Sequence, residues 1–148
     1  HELTLVADLR VVERDAVFGV FCRRWGVPLI DGGTVRLPRI VGMGRALDMI
    51  LTGRPVGAEE AFAMGLASRL VDPGTAREAA EALAREIAAF ARRCMLPDRA
   101  SAYGQWDLPL AEALRAEGAQ GVPVVFEEAV AGAARFVQGA GRHGSFGQ

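Results

Sequence analysis

Across 148 residues, 51% hydrophobic and 24% charged, the chain has soluble globular composition. A formal net charge of −1 argues against generic nucleic-acid or anionic-membrane binding. All 17 basic side chains are arginines, which removes Schiff-base chemistry and lysine nucleophiles and leaves planar, permanently charged forks suited to phosphate or carboxylate.

The length suits one domain with a real core or a large piece of one. Cys22 and Cys94 do not make a disulfide framework in a chain of this size. No signal-peptide pattern and no apolar run of bilayer-spanning length is seen, so the expectation is a cytoplasmic protein with no membrane partner.

His1 is followed at once by ELTLVADLRVV, which reads as the end of one buried element and the start of another. The expectation is a chain that begins within a domain, with a segment upstream. Residues 2–7 are apolar and fit the last turns of a buried helix. Residues 8–13 carry Leu9, Val11 and Val12 and read as a strand, followed by a second short one at residues 16–19. Then comes FCRRWGVPLIDGGTVRLPR, with Arg23, Arg24, Arg36 and Arg39 in a stretch too aperiodic for a single helix or strand. Residues 33–41 turn helical, with Val35, Leu37, Ile40 and Val41 apolar, and Pro38 is expected to kink this helix or sit near its start.

Gly42-Met43-Gly44 punctuates before a helix at residues 45–51, which TGRPVG ends. Residues 58–64 form a short helix with Glu59 and Glu60 in its first turn, where acidic side chains suit the macrodipole. Residues 68–71 are extended, and Asp72-Pro73-Gly74 is a turn. Residues 76–93 give the clearest helix, with Leu83, Ile87 and Phe90 on one face. Ala-rich helical segments follow at about residues 97–104, 109–118 and 122–138. A mixed part, residues 1–72, is thus followed by a helical part, residues 73–148, and the class is α/β.

Several side chains invite chemistry. His1-Glu2 does not open a zinc helix, because the second histidine of HExxH is replaced by Leu5. Glu2 reads either as a carboxylate at a buried helix end, able to hold or pass a proton, or as an exposed terminal glutamate. Cys22, flanked by Arg23 and Arg24, reads as an activated thiol or as a small packed cysteine. Asp31 before Gly32-Gly33 reads as a carboxylate at a pocket or as a turn or N-cap residue. Gly26, Gly32 and Gly33 permit tight turns and close approach to a ligand. Trp25 reads as pocket wall or core, with core as the expectation.

The ordered series matters more than any one piece. It runs E-L-x-x-x-x-D, A-x-F-G, G-G-T-x-R-L-P-R, R-A-x-x-x-x-L-T-G-R, A-x-x-A-x-x-x-G-L and R-L-V-D, and spans residues 2–72. It resembles the crotonase superfamily, the enoyl-CoA hydratase/isomerase family. The helical remainder, ending E-A-V-x-G-A-A-R-F, resembles that family's C-terminal trimerisation region. The resemblance implies a spiral of ββα turns, seen here as its C-terminal portion, followed by helices that build trimers or dimers of trimers.

It also implies acyl-CoA chemistry with the coenzyme A thioester as substrate and with no cofactor or metal. The simplest reaction is hydration of a 2-enoyl-CoA to a 3-hydroxyacyl-CoA, with fatty acid metabolism as the setting. Two backbone N–H groups that polarise the thioester would come from a segment upstream of His1. Glu2 matches the first of the family's two catalytic glutamates. Cys22 stands where the second is usual, and Asp31 is the candidate to stand in for it. Cys22, Trp25, Gly26 and Gly32 would border the acyl group, and Phe136 would close over the coenzyme of a neighbouring subunit, with Arg142 and His143 near its phosphates. Rival expectations are isomerisation, decarboxylation or thioester hydrolysis with a single carboxylate, and a non-catalytic subunit.

Overall fold

The computed structural model describes residues 2–141. The chain divides into two compact units, His1–Ala84 and Arg85–Gln148. Arg142 and His143 lie outside the described residues.

The first unit opens with a 3-10 helix, Glu2–Val6, in place of the expected α-helical turns. Leu5 is half-buried and Val6 exposed, so only part of this short helix faces the core. Strand β1, Val11–Glu13, pairs in parallel with β4, Arg69–Val71, and aligns Val12 with Leu70. Strand β2, Val17–Phe18, pairs antiparallel with β3, Val56–Gly57, and aligns Phe18 with Val56. Phe18 and Val56 are both buried, so this pair carries core packing on one face. The sequence does not announce β3. Its two residues become a strand only because β2 supplies the ladder.

A second 3-10 helix, Phe21–Trp25, follows β2, and a loop leads to helix α1, Gly33–Val41. Leu37 and Val41, four residues apart, bury one face of α1, while Arg36 and Arg39 lie exposed. Pro38 sits inside α1, where it removes one intrahelical donor. The helix ends three residues later at Val41, and its C-cap Gly42 has φ of +83° and ψ of 155°, essentially closed to other residues. That geometry lets helix α2, Met43–Thr52, begin at once. Ala46, Met49 and Ile50 form the buried stripe of α2 at helical spacing.

Helix α3, Ala58–Ala63, follows β3. An arginine ties the two helices together. Arg54 Nε donates to Asp48 Oδ2 of α2 at 2.7 Å, and Nη1 donates to Glu60 Oε2 of α3 at 3.0 Å. The Arg54 guanidinium holds the Glu60 carboxyl below its usual range, and both carboxylates push the guanidinium pKa up. The core of the unit gathers Val12, Phe18, Leu37, Met49, Val56 and Leu66 with smaller neighbours, and Leu66 and Val56 are its largest fully buried side chains.

Helix α4, Ala76–Ala88, carries the boundary between the units. Its first turn is held by Glu13, whose Oε1 accepts from the Ala76 N–H at 3.2 Å. The expected helix over residues 76–93 is broken, because Ala91 takes an extended conformation at ψ 99° and α5 starts anew, Arg92–Gly104.

In the second unit, α5 packs on α6, Leu110–Val124. The expected continuous helix over residues 122–138 widens into a π turn, Val125–Ala129, before α7, Val130–Val137. Pro123 stands just before the π turn, where its missing donor and its ring disturb the ladder. Arg93 and Glu127 pair at 2.8 Å. None of the described residues of this unit is buried, and Leu110, Phe126, Val130 and Val137 are each more than 60% exposed.

Candidate functional site

The first unit holds a small, partly open apolar cavity of about 30 Å³, room for no more than about two water molecules. Its wall draws on every early element: Thr4 and Leu5 from the first 3-10 helix, Phe18 to Val20 at the end of β2, Leu29 and Gly33 from the loop into α1, Leu37 from α1, Met49 from α2, and Leu66. Thr4 is the one polar side chain among the described residues that line it, and none of them is titratable.

An open cleft of about 420 Å³ lies beside it, lined by Ala7, Leu9, Arg10, Glu13 and Ala16, among others. Thr4 and Phe18 line both spaces. The helix Glu2–Val6 therefore borders both a small apolar cavity and an open cleft that carries two charged side chains.

Arg10 fixes that helix to the rest of the unit. Its Nη1 donates to the Ala7 carbonyl at 2.7 Å and its Nε to the Leu66 carbonyl at 2.5 Å, while its own N–H meets Ser68 Oγ at 3.1 Å. Neither Thr4 nor Arg10 was singled out from the sequence. Thr4 follows Glu2 by two positions on a short helix, which is a usable local signal. The contacts of Arg10 reach more than 50 residues along the chain, and no local pattern announces them.

Glu2 begins the first 3-10 helix, and its side chain lies outside the described part. Cys22 is half-buried and packs against the core, not in the cavity wall. Its neighbours are engaged too: Arg23 Nε donates to the Ile50 carbonyl at 3.1 Å, and the Arg24 guanidinium sits 6.0 Å from the Phe21 ring centroid. The core expectation for Trp25 is corrected. Trp25 is 83% exposed, because no described element of the unit covers this last residue before Gly26 closes the helix at φ +71°.

Asp31 is exposed on the loop between Leu29 and Gly33, both of which line the cavity. The N-cap of α1 is Gly32, at φ +87°, so Asp31 stands one position outside the capping site. The Asp31 carbonyl accepts from Arg36 Nη1 at 2.9 Å. Gly33 is buried in the cavity wall. Phe136 lies on α7 in the second unit and is 58% exposed. The structure thus brings the loop bearing Asp31 and the helix bearing Glu2 to one cavity, and Cys22 is not among the described residues that line it.

A family model described as enoyl-CoA hydratase/isomerase matches residues 1–118. A probable enoyl-CoA hydratase of Rhizobium meliloti is 38% identical over 116 residues, which is 78% of this chain and 45% of that protein. Methylglutaconyl-CoA hydratase 1, mitochondrial, of Pyricularia oryzae is 44% identical over 89 residues, 59% of this chain and 26% of that one. The solved enoyl-CoA hydratase of Mycobacterium tuberculosis superposes on 92% of this chain with a TM-score of 0.84 at 32% identity, and the match covers 54% of that chain. The chain spans about half the length of such solved relatives.

Proposed function

We infer, from the premise that this chain belongs to the enoyl-CoA hydratase/isomerase family, that the whole protein acts on acyl-CoA thioesters. Its fold is the α/β crotonase type. The reaction proposed is addition of water across the double bond of a 2-enoyl-CoA, giving a 3-hydroxyacyl-CoA. The observation that carries this reading is the position of the helix Glu2–Val6 against a small apolar cavity and an open cleft. The cavity wall is apolar, as an acyl group requires, and the cleft beside it is open to water.

In this scheme the thioester oxygen is held by backbone N–H groups of a segment that, in the family pattern, precedes this span. Glu2 takes a proton from water as its oxygen bonds to C3, and a proton is returned to C2. Cys22 packs against the core, and Asp31, on the loop between Leu29 and Gly33, is the candidate for the second carboxylate's work.

A second reading has one specific support. Cys22 stands where the family's second glutamate is usual, which favours a reaction run by a single carboxylate, such as double-bond isomerisation. Decarboxylation and thioester hydrolysis belong to the same class, and a non-catalytic subunit is the remaining rival.

The protein is further proposed to be a cytoplasmic homo-oligomer, a trimer or hexamer, serving fatty acid metabolism. The apolar side chains left exposed on α6 and α7 support burial against another surface. No described helix is long and apolar enough to cross a membrane.

The test follows loss of the conjugated enoyl-thioester absorbance when the intact protein meets crotonyl-CoA, with Glu2→Gln alongside. Turnover abolished by that change supports the hydratase. Binding of acyl-CoA without hydration favours the single-carboxylate reading, and absence of both favours the non-catalytic subunit.

A further inference from the structure

We propose that Arg36 is a positioning residue, a brace that sets the loop bearing Asp31 against the apolar cavity; the inference rests on the acyl-CoA reading above. Residues 31–33 close the stretch between Leu29 and Gly33, both in the cavity wall. Arg36 grips this stretch twice. Its Nη1 reaches back over the first turn of α1 to the Asp31 carbonyl at 2.9 Å. Its backbone N–H donates to the Gly32 carbonyl at 2.9 Å.

Gly32 makes the first grip possible. A Cβ at this position would overlap Arg36 Nη1, so any other residue would push the guanidinium aside. The φ of +87° at Gly32 points to the same residue type. A charged donor on a carbonyl is a stronger tie than a neutral one, and the rigid guanidinium loses little freedom in making it.

The consequence falls on the reaction more than on folding. Arg36 is exposed, and surface substitutions of this kind move stability little. A wall displaced by about 1 Å, in contrast, can cost about a hundredfold in rate.

The test uses the intact protein with Arg36→Met and Arg36→Lys. In Arg36→Met the unfolding midpoint stays within about 3 °C of wild type. Its kcat on crotonyl-CoA falls at least about tenfold while KM changes less than about threefold, as expected for lost alignment. Arg36→Lys, which still offers a charged donor, recovers most of kcat. A wild-type kcat in Arg36→Met overturns the brace, and so does an Arg36→Lys enzyme as slow as Arg36→Met. A midpoint that collapses together with kcat would reduce Arg36 to a structural role.

A second readout needs no turnover. Gly32→Ala lowers the midpoint in wild type, and the drop is smaller in the Arg36→Met background, where the longer guanidinium no longer meets the new methyl. Equal drops in the two backgrounds overturn the brace. A protein inactive on every enoyl-CoA tried would sink the acyl-CoA reading, while the unfolding pair would still judge the brace alone.

Discussion

Glu60 receives both ends of the Arg54 guanidinium: Nη1 meets Oε2 at 3.0 Å and Nη2 meets Oε1 at 2.5 Å. The same guanidinium reaches Asp48 on α2, so one arginine joins α2 and α3.

This fork makes a pH prediction. The hydrogen bond from Arg54 holds the folded Glu60 carboxyl below its ordinary value. A depressed carboxyl contributes stability above the unfolded value, about 4.3, and loses it as pH falls through the folded value. Wild type should therefore unfold at a higher temperature than Glu60→Gln at pH 7, and the gap should close as pH falls toward 3. Thermal unfolding of both proteins across that range checks it. A gap that stays constant with pH would show that the charge of Glu60 does not matter. Both partners are well exposed, so the gap is expected to be modest.

Gly19 is required by Phe21. Gly19 lines the cavity, and a Cβ there would overlap the Phe21 ring. Gly19→Ala should destabilise by about 1–3 kcal/mol, the usual cost of forcing extra atoms into a packed site. Phe21→Leu in the same background should recover part of that loss. Denaturant unfolding of the two variants measures it, and a Gly19→Ala protein as stable as wild type would mean that the ring swings aside freely.

Cys22 should be dispensable for chemistry. Its thiol packs against the core and not into the cavity. Cys22→Ala should keep turnover within about twofold and lose about 1 kcal/mol of stability, the scale of one deleted buried heavy atom. A loss of turnover by about a hundredfold with stability intact would return the thiol to the reaction.

The local elements of this protein were legible in one dimension. Leu37 and Val41 mark the buried face of α1 by their spacing, and Gly42 marks its end. Ala46, Met49 and Ile50 do the same for α2. The ordered motifs of residues 2–72 pointed to the family that matches residues 1–118. All of these are encoded within a turn or two of chain, where periodicity and punctuation act.

Contacts across the chain decided the rest. Val56–Gly57 is a strand only because Val17–Phe18 lies beside it. Arg10 becomes an anchor only because Leu66 and Ser68 are folded next to it. Trp25 reads as core by composition and stands exposed, since burial depends on what another element covers and not on the side chain's own hydrophobicity. The sequence by itself determined helices α1 to α3, their punctuation and the family. Only the tertiary structure decided that Cys22 faces the core, that Thr4 faces the cavity, and that Arg36 reaches back to Asp31, because side-chain direction is set by partners distant in the chain.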